Sequence, residues 1–337
     1  MNAGDVELPQ GRAELAGADA LRHPRELNSD IYYIDCDPGI DDALALAYLL
    51  RIGVEIASIG VVAGNVEVLA AADNTRRFMA LAGRRDIPIS VGRNDPITGT
   101  FWGGAAIMHG SDGLGGVQLP PSEVSYDPLP APMRLVDLAH RYQTRLHIIA
   151  LGPLTNLAVA MEYEPALPTM VGAVTIMGGA FRVPGNVTPH AEANIYADPH
   201  GAARVLEAPW RDLLLVPLDI TSKHRMSAKE IEQLAASSDP LLQRLAQMLN
   251  FYLGAYHAAH GYSYCLLHDP LAAALAIGTV ELDVARDCQI TVISDESPHR
   301  GTTLISLKPN TDVGEPRTRI ALSAAQDLTP MLMAALR

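Results

Sequence analysis

The chain has 337 residues, of which 48% are hydrophobic and 19% charged, so it can bury a sizeable core and is not typical of a disordered protein. Its net charge of −13 repels polyanions such as DNA, RNA or an anionic membrane, and a neutral or cationic small molecule suits this balance better. Plain solubility explains the same charge equally well. We therefore expect a small-molecule partner, no nucleic acid and no membrane.

The cysteine content and the N-terminal segment indicate in which cellular compartment the protein is expected. Cys36, Cys265 and Cys288 are an odd number and widely spaced, which argues against a disulfide framework or a thiolate zinc site. Residues 1–28 lack the continuous apolar stretch of a signal peptide, and no run of about 18 uncharged apolar residues occurs that would span a bilayer. The sequence predicts a cytoplasmic protein with a flexible extension over residues 1–28 and one domain over residues 29–337.

Short β-rich runs alternate with helical patterns along the chain. The predicted strands cover residues 31–34, 54–62, 88–91, 146–151, 171–177 and 212–218. The predicted helices cover residues 42–51, 66–82 with Asn65 as N-cap, a segment opened by Gly152-Pro153, and residues 228–235, 241–257 and 270–277. Repeated βα units predict an α/β fold with a mostly parallel central sheet and helices on both faces, an open Rossmann-like arrangement with extra helices near the C-terminal half. Two long loops, 92–127 and 178–194, are typical of functional loops.

Several distinctive residues fall at the carboxyl ends of predicted strands. These positions are the acidic segment 35–42, Asn65, Leu151, Met177 and Asp219. In open parallel sheets, ligands bind beyond the carboxyl ends of the strands. We therefore expect these residues to lie around one site.

Four acidic residues lie within eight positions, in the sequence Asp35-Cys36-Asp37-Pro38-Gly39-Ile40-Asp41-Asp42. Carboxylates this close resist ionising together unless a cation or a hydrogen-bond donor compensates them, and a divalent metal is the expected compensator. Asp41 and Asp42 alone could be acidic residues in the first turn of a helix, but this does not explain Asp35 and Asp37. Oxygen-only ligands favour Mg²⁺ or Ca²⁺ over zinc.

A second motif, Leu266-Leu267-His268-Asp269-Pro270, precedes the last predicted helix. Asp269 could supply a further oxygen to the metal, and His268 could donate a proton to a leaving group. A helix N-cap explains Asp269 nearly as well. The functional interpretation of this motif therefore depends on the acidic segment.

The ordered motifs of the chain resemble the inosine–uridine nucleoside hydrolase family. Besides the acidic segment, the similar blocks are Ala63-Gly64-Asn65, His109-Gly110-Ser111-Asp112-Gly113-Leu114-Gly115, Gly152-Pro153-Leu154-Thr155-Asn156, Met177-Gly178-Gly179, Pro184-Gly185-Asn186-Val187-Thr188-Pro189, Ala191-Glu192-Ala193-Asn194 and His268-Asp269-Pro270. The resemblance implies Ca²⁺-dependent hydrolysis of the N-glycosidic bond of purine and/or pyrimidine ribonucleosides to free base and ribose. It further implies direct attack by a metal-bound water with inversion, a role in nucleoside salvage or catabolism, a nucleoside hydrolase-like domain over residues 29–337, and a homodimer or homotetramer.

Matching the motifs position by position implies a role for each residue. Asp37 is expected to be a calcium ligand and the general base, and His268 the acid that protonates the departing base. The further calcium ligands implied are Asp42, Asp269 and the main-chain carbonyl of Leu151. The residues implied to bind substrate are Asp41, Asn65, His109, Met177, Asn186, Glu192 and Asn194.

The chain departs from the family pattern at Ala193, where a bulky aromatic residue is usual. The segment that precedes His268 varies within the family and shapes base preference, and here its distinctive residues are Tyr252, Tyr256, His257, Tyr262 and Tyr264. These aromatic side chains could stack on a base, although the helical spacing of the first two is also typical of core packing. The sequence leaves the preferred base open.

Two other functions compete with this interpretation. Aspartate-dependent phosphatases also place D-x-D after the first strand, but their pattern has Thr or Val where this chain has Gly39, and no later G-D-x-x-x-D follows. A non-catalytic nucleoside- or calcium-binding homologue would keep the pocket without the activity. The intact Asp37, Asp42, Asn65 and His268 argue against that loss.

Overall fold

A computed structural model describes residues 30–308 and 316–337, and the predicted extension over residues 1–28 lies outside the described residues. The strands are β1 Ile31–Cys36, β2 Glu55–Val61, β3 Ile89–Val91, β4 Leu146–Ala150, β5 Ala173–Met177, β6 Leu213–Val216, β7 Arg225–Ser227, β8 Tyr264–Leu266, β9 Leu282–Val292, β10 Thr303–Leu307 and β11 Thr318–Ala324. Nine of them form the central sheet, in the order β10-β9-β11-β6-β5-β4-β1-β2-β3. β7 and β8 form a separate antiparallel pair.

The central sheet is mostly parallel, as the sequence predicts. β1 pairs in parallel with β2 and β4, and parallel pairing continues outward to β3 on one side and through β5, β6 and β11 on the other. Only β9 runs against this direction, pairing antiparallel with both β11 and β10. The sequence reading missed these three C-terminal strands, because exposed charged residues interrupt the apolar pattern of β9.

Helices cover both faces of the sheet. They are α1 Ile40–Ile52, α2 Val68–Leu81, α3 Ala106–His109, α4 Ala131–Tyr142, α5 Thr155–Tyr163, α6 Leu167–Met170, α7 Ala193–Ala197, α8 Pro199–Leu206, α9 Leu218–Thr221, α10 Ala228–Ala235, α11 Pro240–His260, α12 His268–Ile277 and α13 Leu328–Leu336. Alternate residues of β1 enter opposite cores: Ile34 packs with α1, α11 and α12, and Tyr33 packs with α4, α5 and α8. This two-sided packing confirms the predicted fold class.

Several predicted boundaries shift in the structure. The prediction that Asn65 caps the second helix is wrong, because α2 begins at Val68 after Glu67 and the Asn65 side chain turns toward the acidic segment. The predicted loop 92–127 contains the short helix α3, and α7 begins within the last two residues of the predicted loop 178–194. Within the described parts of the chain, no helix has both the length and the apolar character that a bilayer span requires.

Candidate active site

The turn between β1 and α1 places two aspartates of the acidic motif against each other. The Asp42 side chain accepts hydrogen bonds from the main-chain N–H of Gly39 at 2.9 Å and of Asp37 at 3.3 Å, so it caps the first turn of α1. Helix capping, the alternative role suggested by the sequence, is therefore part of what Asp42 does. The same bonds fold the Asp-Pro-Gly turn back over the start of the helix.

Two glycines make room for the carboxylate of Asp37. A Cβ atom at Gly64 would lie 2.0 Å from one carboxylate oxygen of Asp37, and a Cβ at Gly152 would lie 2.7 Å from the other. Asn65 holds the same residue, since its main-chain N–H donates to the carboxylate at 2.8 Å and its side-chain amide donates to the Asp37 carbonyl at 3.2 Å. The turns after β2 and β4 thus form a cradle shaped for this side chain.

Three carboxylates meet beside this cradle. Oxygens of Asp41, Asp42 and Asp269 lie within 4.8 Å of one another. Among the described residues, this close group contains Asp41, for which the family resemblance implies ribose binding. It does not contain Asp37, for which the resemblance implies a role as calcium ligand. Asp37 nevertheless lies near enough to Asp42 for the charge of Asp42 to raise its pKa.

The four aspartates of the site are buried away from solvent, where their negative charges repel one another strongly. Asp37, Asp41, Asp42 and Asp269 are 0 to 6% exposed. Burial raises the pKa of all four carboxyls, to about 6 for Asp41 and Asp42, and neighbouring carboxylates raise it further in Asp37, Asp42 and Asp269. In the part of the chain that the structure describes, no lysine or arginine pairs with any of them. A hard cation fits this set of oxygen donors.

The loop after β5 brings three predicted ribose-binding residues to the same edge. Asn194 donates its side-chain N–H to the carbonyls of Leu151 at 2.6 Å and Met177 at 3.2 Å. Glu192 caps α7, accepting main-chain bonds from Asn194 and Ile195. The exposed Asn186 joins this group less directly, because its side-chain oxygen accepts from the main-chain N–H of Ala193. The carbonyl of Leu151, the predicted ligand, therefore faces this loop, and the next residue, Gly152, lies against the carboxylate of Asp37.

His109 packs over the start of α1. Its Nδ1 accepts the main-chain N–H of Ile40 at 3.1 Å and lies 3.9 Å from the carboxylate of Asp41. The ring stacks on Tyr252 with 5.1 Å between centroids. Burial lowers the pKa of His109 to about 4, so the ring is neutral near pH 7 and carries its proton on Nε2.

A chain of hydrogen bonds leads from His268 to the acidic group. On one side of the ring, His268 Nδ1 lies 2.7 Å from Thr221 Oγ1. On the other side, His268 Nε2 lies 3.0 Å from the hydroxyl of Tyr256, which lies 3.3 Å from the hydroxyl of Tyr252. The hydroxyl of Tyr252 in turn donates to the carboxylate of Asp41 at 3.3 Å. Burial, with a smaller contribution from His109, lowers the pKa of His268 to about 4, so the ring is neutral.

Only one direction of donation satisfies every bond in this chain. Tyr252 donates to Asp41, so it accepts from Tyr256, which in turn accepts the Nε2–H of His268. His268 Nδ1 then accepts from the hydroxyl of Thr221. The proton of neutral His268 is therefore on the nitrogen that faces the tyrosines.

Thr221 is a site residue that the sequence interpretation did not name, and Tyr252 and Tyr256, named there only as possible base-stacking or core residues, join the hydrogen-bonded chain. The two tyrosines are 2% and 4% exposed and belong to the core, which agrees with the packing alternative, yet both hydroxyls point into the polar chain. Tyr262 lies outside Tyr256 and stacks on Tyr264 with 4.9 Å between centroids. The sequence did contain a signal for this chain of hydrogen bonds, because two apolar helical positions carry tyrosine instead of phenylalanine. A buried tyrosine hydroxyl requires a hydrogen-bond partner, so polar groups were to be expected beside them.

Asp35 belongs to a separate network beneath the site. Its carboxylate accepts from the hydroxyl of Tyr33 at 2.9 Å and from the side-chain amide of Asn156 at 3.1 Å. Burial raises the pKa of Asp35 to about 7, while these two hydrogen bonds oppose the shift. Asp35 therefore supports the end of β1 and is not part of the three-carboxylate group.

The fold and site define an α/β protein with a group of buried carboxylates, of a kind that could hold a metal ion, at the carboxyl edge of its sheet, bordered by polar loops and a buried histidine. Comparison with known proteins identifies the family. The model of the inosine–uridine preferring nucleoside hydrolases matches residues 32–328. The chain belongs to this family of metal-dependent hydrolases, whose members hydrolyse the N-glycosyl bond of ribonucleosides. This assignment agrees with the predicted hydrolase and not with the phosphatase alternative.

Individual relatives cover most of the chain. A probable uridine nucleosidase 2 of Arabidopsis thaliana is 36% identical over 70% of this chain and 74% of its own length. The pyrimidine-specific ribonucleoside hydrolase RihA of Photobacterium profundum is 31% identical over 83% of this chain and 89% of its own length. Among solved structures, a plant nucleoside hydrolase has a TM-score of 0.82 and 32% identity, covering 91% of this chain and 98% of its own. A purine-preferring ribonucleoside hydrolase from Gardnerella vaginalis has a TM-score of 0.83 and 28% identity, covering 91% and 96%.

Proposed function

We propose that the protein is a Ca²⁺-dependent enzyme that hydrolyses ribonucleosides to free base and ribose, by direct attack of water with inversion at C1′. The observation that carries this proposal is the group of buried carboxylates, which has raised pKa values and, among the described residues, no lysine or arginine partner and only the neutral His109 beside Asp41. Such a group is stable as carboxylates only with a cation. Family membership then supplies the class of substrate.

The protein ligands proposed for calcium are the carboxylates of Asp37, Asp42 and Asp269 and the main-chain carbonyl of Leu151. Calcium accepts six to eight oxygens in flexible geometry, so the set leaves room for a water and for ribose hydroxyls. Asp41 lies within the same group and can turn toward either the ion or the sugar. When bound, the ion neutralises the carboxylates and lowers the pKa of a nearby water.

Asp37 is the proposed general base. Its carboxylate lies between Gly64 and Gly152, and one oxygen is held by the main-chain N–H of Asn65. This fixed position suits a group that must take a proton from an attacking water along one direction. Replacing either glycine with a larger residue would force the carboxylate to move.

The ribose is proposed to bind between α1 and the loop after β5. Cleavage of the C1′–N bond builds positive charge on the sugar ring, and oxygens held around the ring stabilise that charge. Those proposed to do so are on Asp41, Asn65, Glu192 and Asn194, while Met177 and Asn186 are proposed to line the other side of the sugar. Main-chain bonds hold Glu192 in place, so its position does not depend on the ligand.

His268 is the proposed acid for the departing base, with His109 nearby. The neutral ring donates its Nε2–H to Tyr256. To act as an acid it takes a second proton from solvent at Nδ1, and the imidazolium then gives the Nε2 proton to the base nitrogen and returns to the neutral ring. The hydroxyls of Tyr256 and Tyr252 keep the Nε2 side of the ring in a fixed orientation. General acids of this kind contribute about 10² to 10⁴ in rate.

The experiment is a screen for free ribose. Purified protein is mixed with inosine, uridine, adenosine and cytidine, since relatives are named for uridine, pyrimidine and purine substrates. We expect ribose from at least one of these nucleosides, loss of release after chelation, and recovery with calcium. Absence of ribose from all four in the presence of calcium would overturn the proposal. Recovery with magnesium but not calcium would refute the choice of ion. A cytoplasmic location, a role in salvage or catabolism, and a homodimer or homotetramer stay predictions.

A further inference from the structure

The turn that follows β5 is held by side chains from three separate parts of the chain. Four consecutive main-chain N–H groups of this turn, residues 179–182, donate to side-chain oxygens. The pairs are Gly179 to Glu192 at 2.9 Å, Ala180 to Thr303 at 3.1 Å, and Phe181 and Arg182 to the two carboxylate oxygens of Asp219 at 2.7 and 2.6 Å. We call this segment the 179–182 turn.

The acceptors of the 179–182 turn are buried. Asp219 is 6% exposed, Thr303 is 4% exposed and Glu192 is 2% exposed. Hydrogen bonds to a charged, buried acceptor are among the stronger ones in proteins, so the turn has little freedom to rearrange. Glu192 already has a role in the proposed function, whereas Asp219 has none. The sequence places Asp219 at a strand end without saying what it does there.

One short helix connects this turn to the histidine. Asp219 lies in the first turn of α9, and Thr221 ends the same helix. The hydroxyl of Thr221 contacts His268 Nδ1 at 2.7 Å. The two residues of α9 therefore contact two different parts of the site: Asp219 contacts the turn that leads into the loop proposed to bind ribose, and Thr221 contacts the histidine proposed to protonate the base.

We propose that Asp219 is a positioning residue, which holds the 179–182 turn and sets the ribose-side loop at a fixed distance from His268. The inference rests on the proposed function. The turn directly follows Met177, whose carbonyl receives the side chain of Asn194, so movement of the turn shifts that contact as well. Misplacing a binding group by about 1 Å can lower the rate about 10²-fold.

The test uses Asp219→Asn in the full chain. Asparagine keeps the size of the side chain, but its amide nitrogen would point at a main-chain N–H that needs an acceptor. We expect kcat/KM for nucleoside hydrolysis to fall about 10- to 100-fold, mainly through kcat. We also expect tryptic cleavage after the exposed Arg182 to accelerate at least about tenfold, because the local opening of the turn becomes easier.

Asp212→Asn is the matched control. Asp212 lies just before β6 and Asp219 lies just after it, and both side chains are 6% exposed. Asp212 forms an ion pair with Arg319, at the end of the strand far from the site. We expect this control to lower the thermal midpoint without accelerating cleavage after Arg182 or lowering kcat. If Asp219→Asn does not fold, Thr303→Val removes the hydroxyl bonded to Ala180, with Thr75→Val on α2 as its control.

The outcomes separate the two proposals. Wild-type kinetics and wild-type cleavage after Arg182 in Asp219→Asn, or in Thr303→Val where that variant replaces it, would overturn the positioning role. Equal effects in the Asp219 and Asp212 variants would overturn it too, since a general loss of stability would then explain both. Failure of the wild-type protein to release ribose would overturn the proposed function alone, because the cleavage assay does not depend on turnover.

Discussion

The hydroxyl of Tyr256 is the link between His268 and Tyr252, so Tyr256→Phe cuts the polar chain with a small change in shape. In the wild type, this hydroxyl accepts from His268 Nε2 at 3.0 Å and lies 3.3 Å from the hydroxyl of Tyr252. The substitution keeps the ring that packs in the core. It therefore tests how the tyrosine hydroxyl holds His268 separately from the packing.

The structure sets the scale of the effect. Removing the hydroxyl leaves one buried donor, on His268, and one buried acceptor, on Tyr252, without that partner, at about 1 to 3 kcal/mol each. Because the His268 ring also loses its orientation, we expect kcat/KM for a nucleoside to fall about 10- to 100-fold, which corresponds to about 1.4 to 2.7 kcal/mol in the barrier. The free energy of unfolding should fall by about 2 to 6 kcal/mol, the combined cost of the two unpaired groups.

The assay compares two leaving groups. One substrate is the best nucleoside from the screen, and the other is an aryl riboside whose phenolate departs without needing a proton. The variant should lose rate with the nucleoside, whereas its rate with the aryl riboside should stay within about threefold of the wild type, because general acid catalysis is not needed there.

A matched control distinguishes chemistry from stability. Tyr48→Phe also removes a buried tyrosine hydroxyl, which bonds Thr279 at 2.8 Å from the other end of α1. This control should lose stability and keep both rates. If Tyr256→Phe slows both substrates equally, or neither, then Tyr256 does not act through the leaving group and its proposed role in orienting His268 is wrong.

The remaining predictions concern the carboxylates. Asp37→Asn should lower kcat by about 10² to 10⁴ with little change in thermal stability, and unchanged turnover in a steady-state assay would remove this residue from the role of base. Gly64→Ala should also abolish most activity, because its Cβ would lie 2.0 Å from the Asp37 carboxylate, whereas Gly254→Ala, with open space around it, should be silent in the same assay. In chelated protein, the raised pKa of about 6 for Asp41 and Asp42 means that stability is fully present below the unfolded pKa near 3.8 and is lost as pH rises through 6. Calcium should therefore raise the thermal midpoint more at pH 7 than at pH 4.5, and an equal shift at both pH values would contradict the cation site.

Much of the fold could be predicted from local patterns. The six strands from β1 to β6 are short apolar runs, and the alternation with helical segments is sufficient to indicate a parallel sheet. The carboxyl ends of such strands meet at one edge, so the acidic segment, Asn65, Leu151 and Met177 could be assigned to one site before any coordinates. The strands β9 to β11 could not, because their pairing depends on contacts distant in sequence and their apolar pattern is weak.

Sequence by itself determined which chemical groups this protein has and, through the strand ends, the edge of the sheet where most of them gather. Tertiary structure alone decided which of those groups touch. It placed Asp41 instead of Asp37 in the closest carboxylate group, joined Tyr252 and Tyr256 to His268, and gave Asp219 the main chain of a distant turn. The physical reason is that a hydrogen bond depends on distances of a few tenths of an ångström between segments far apart in sequence, and periodicity carries no information at that scale.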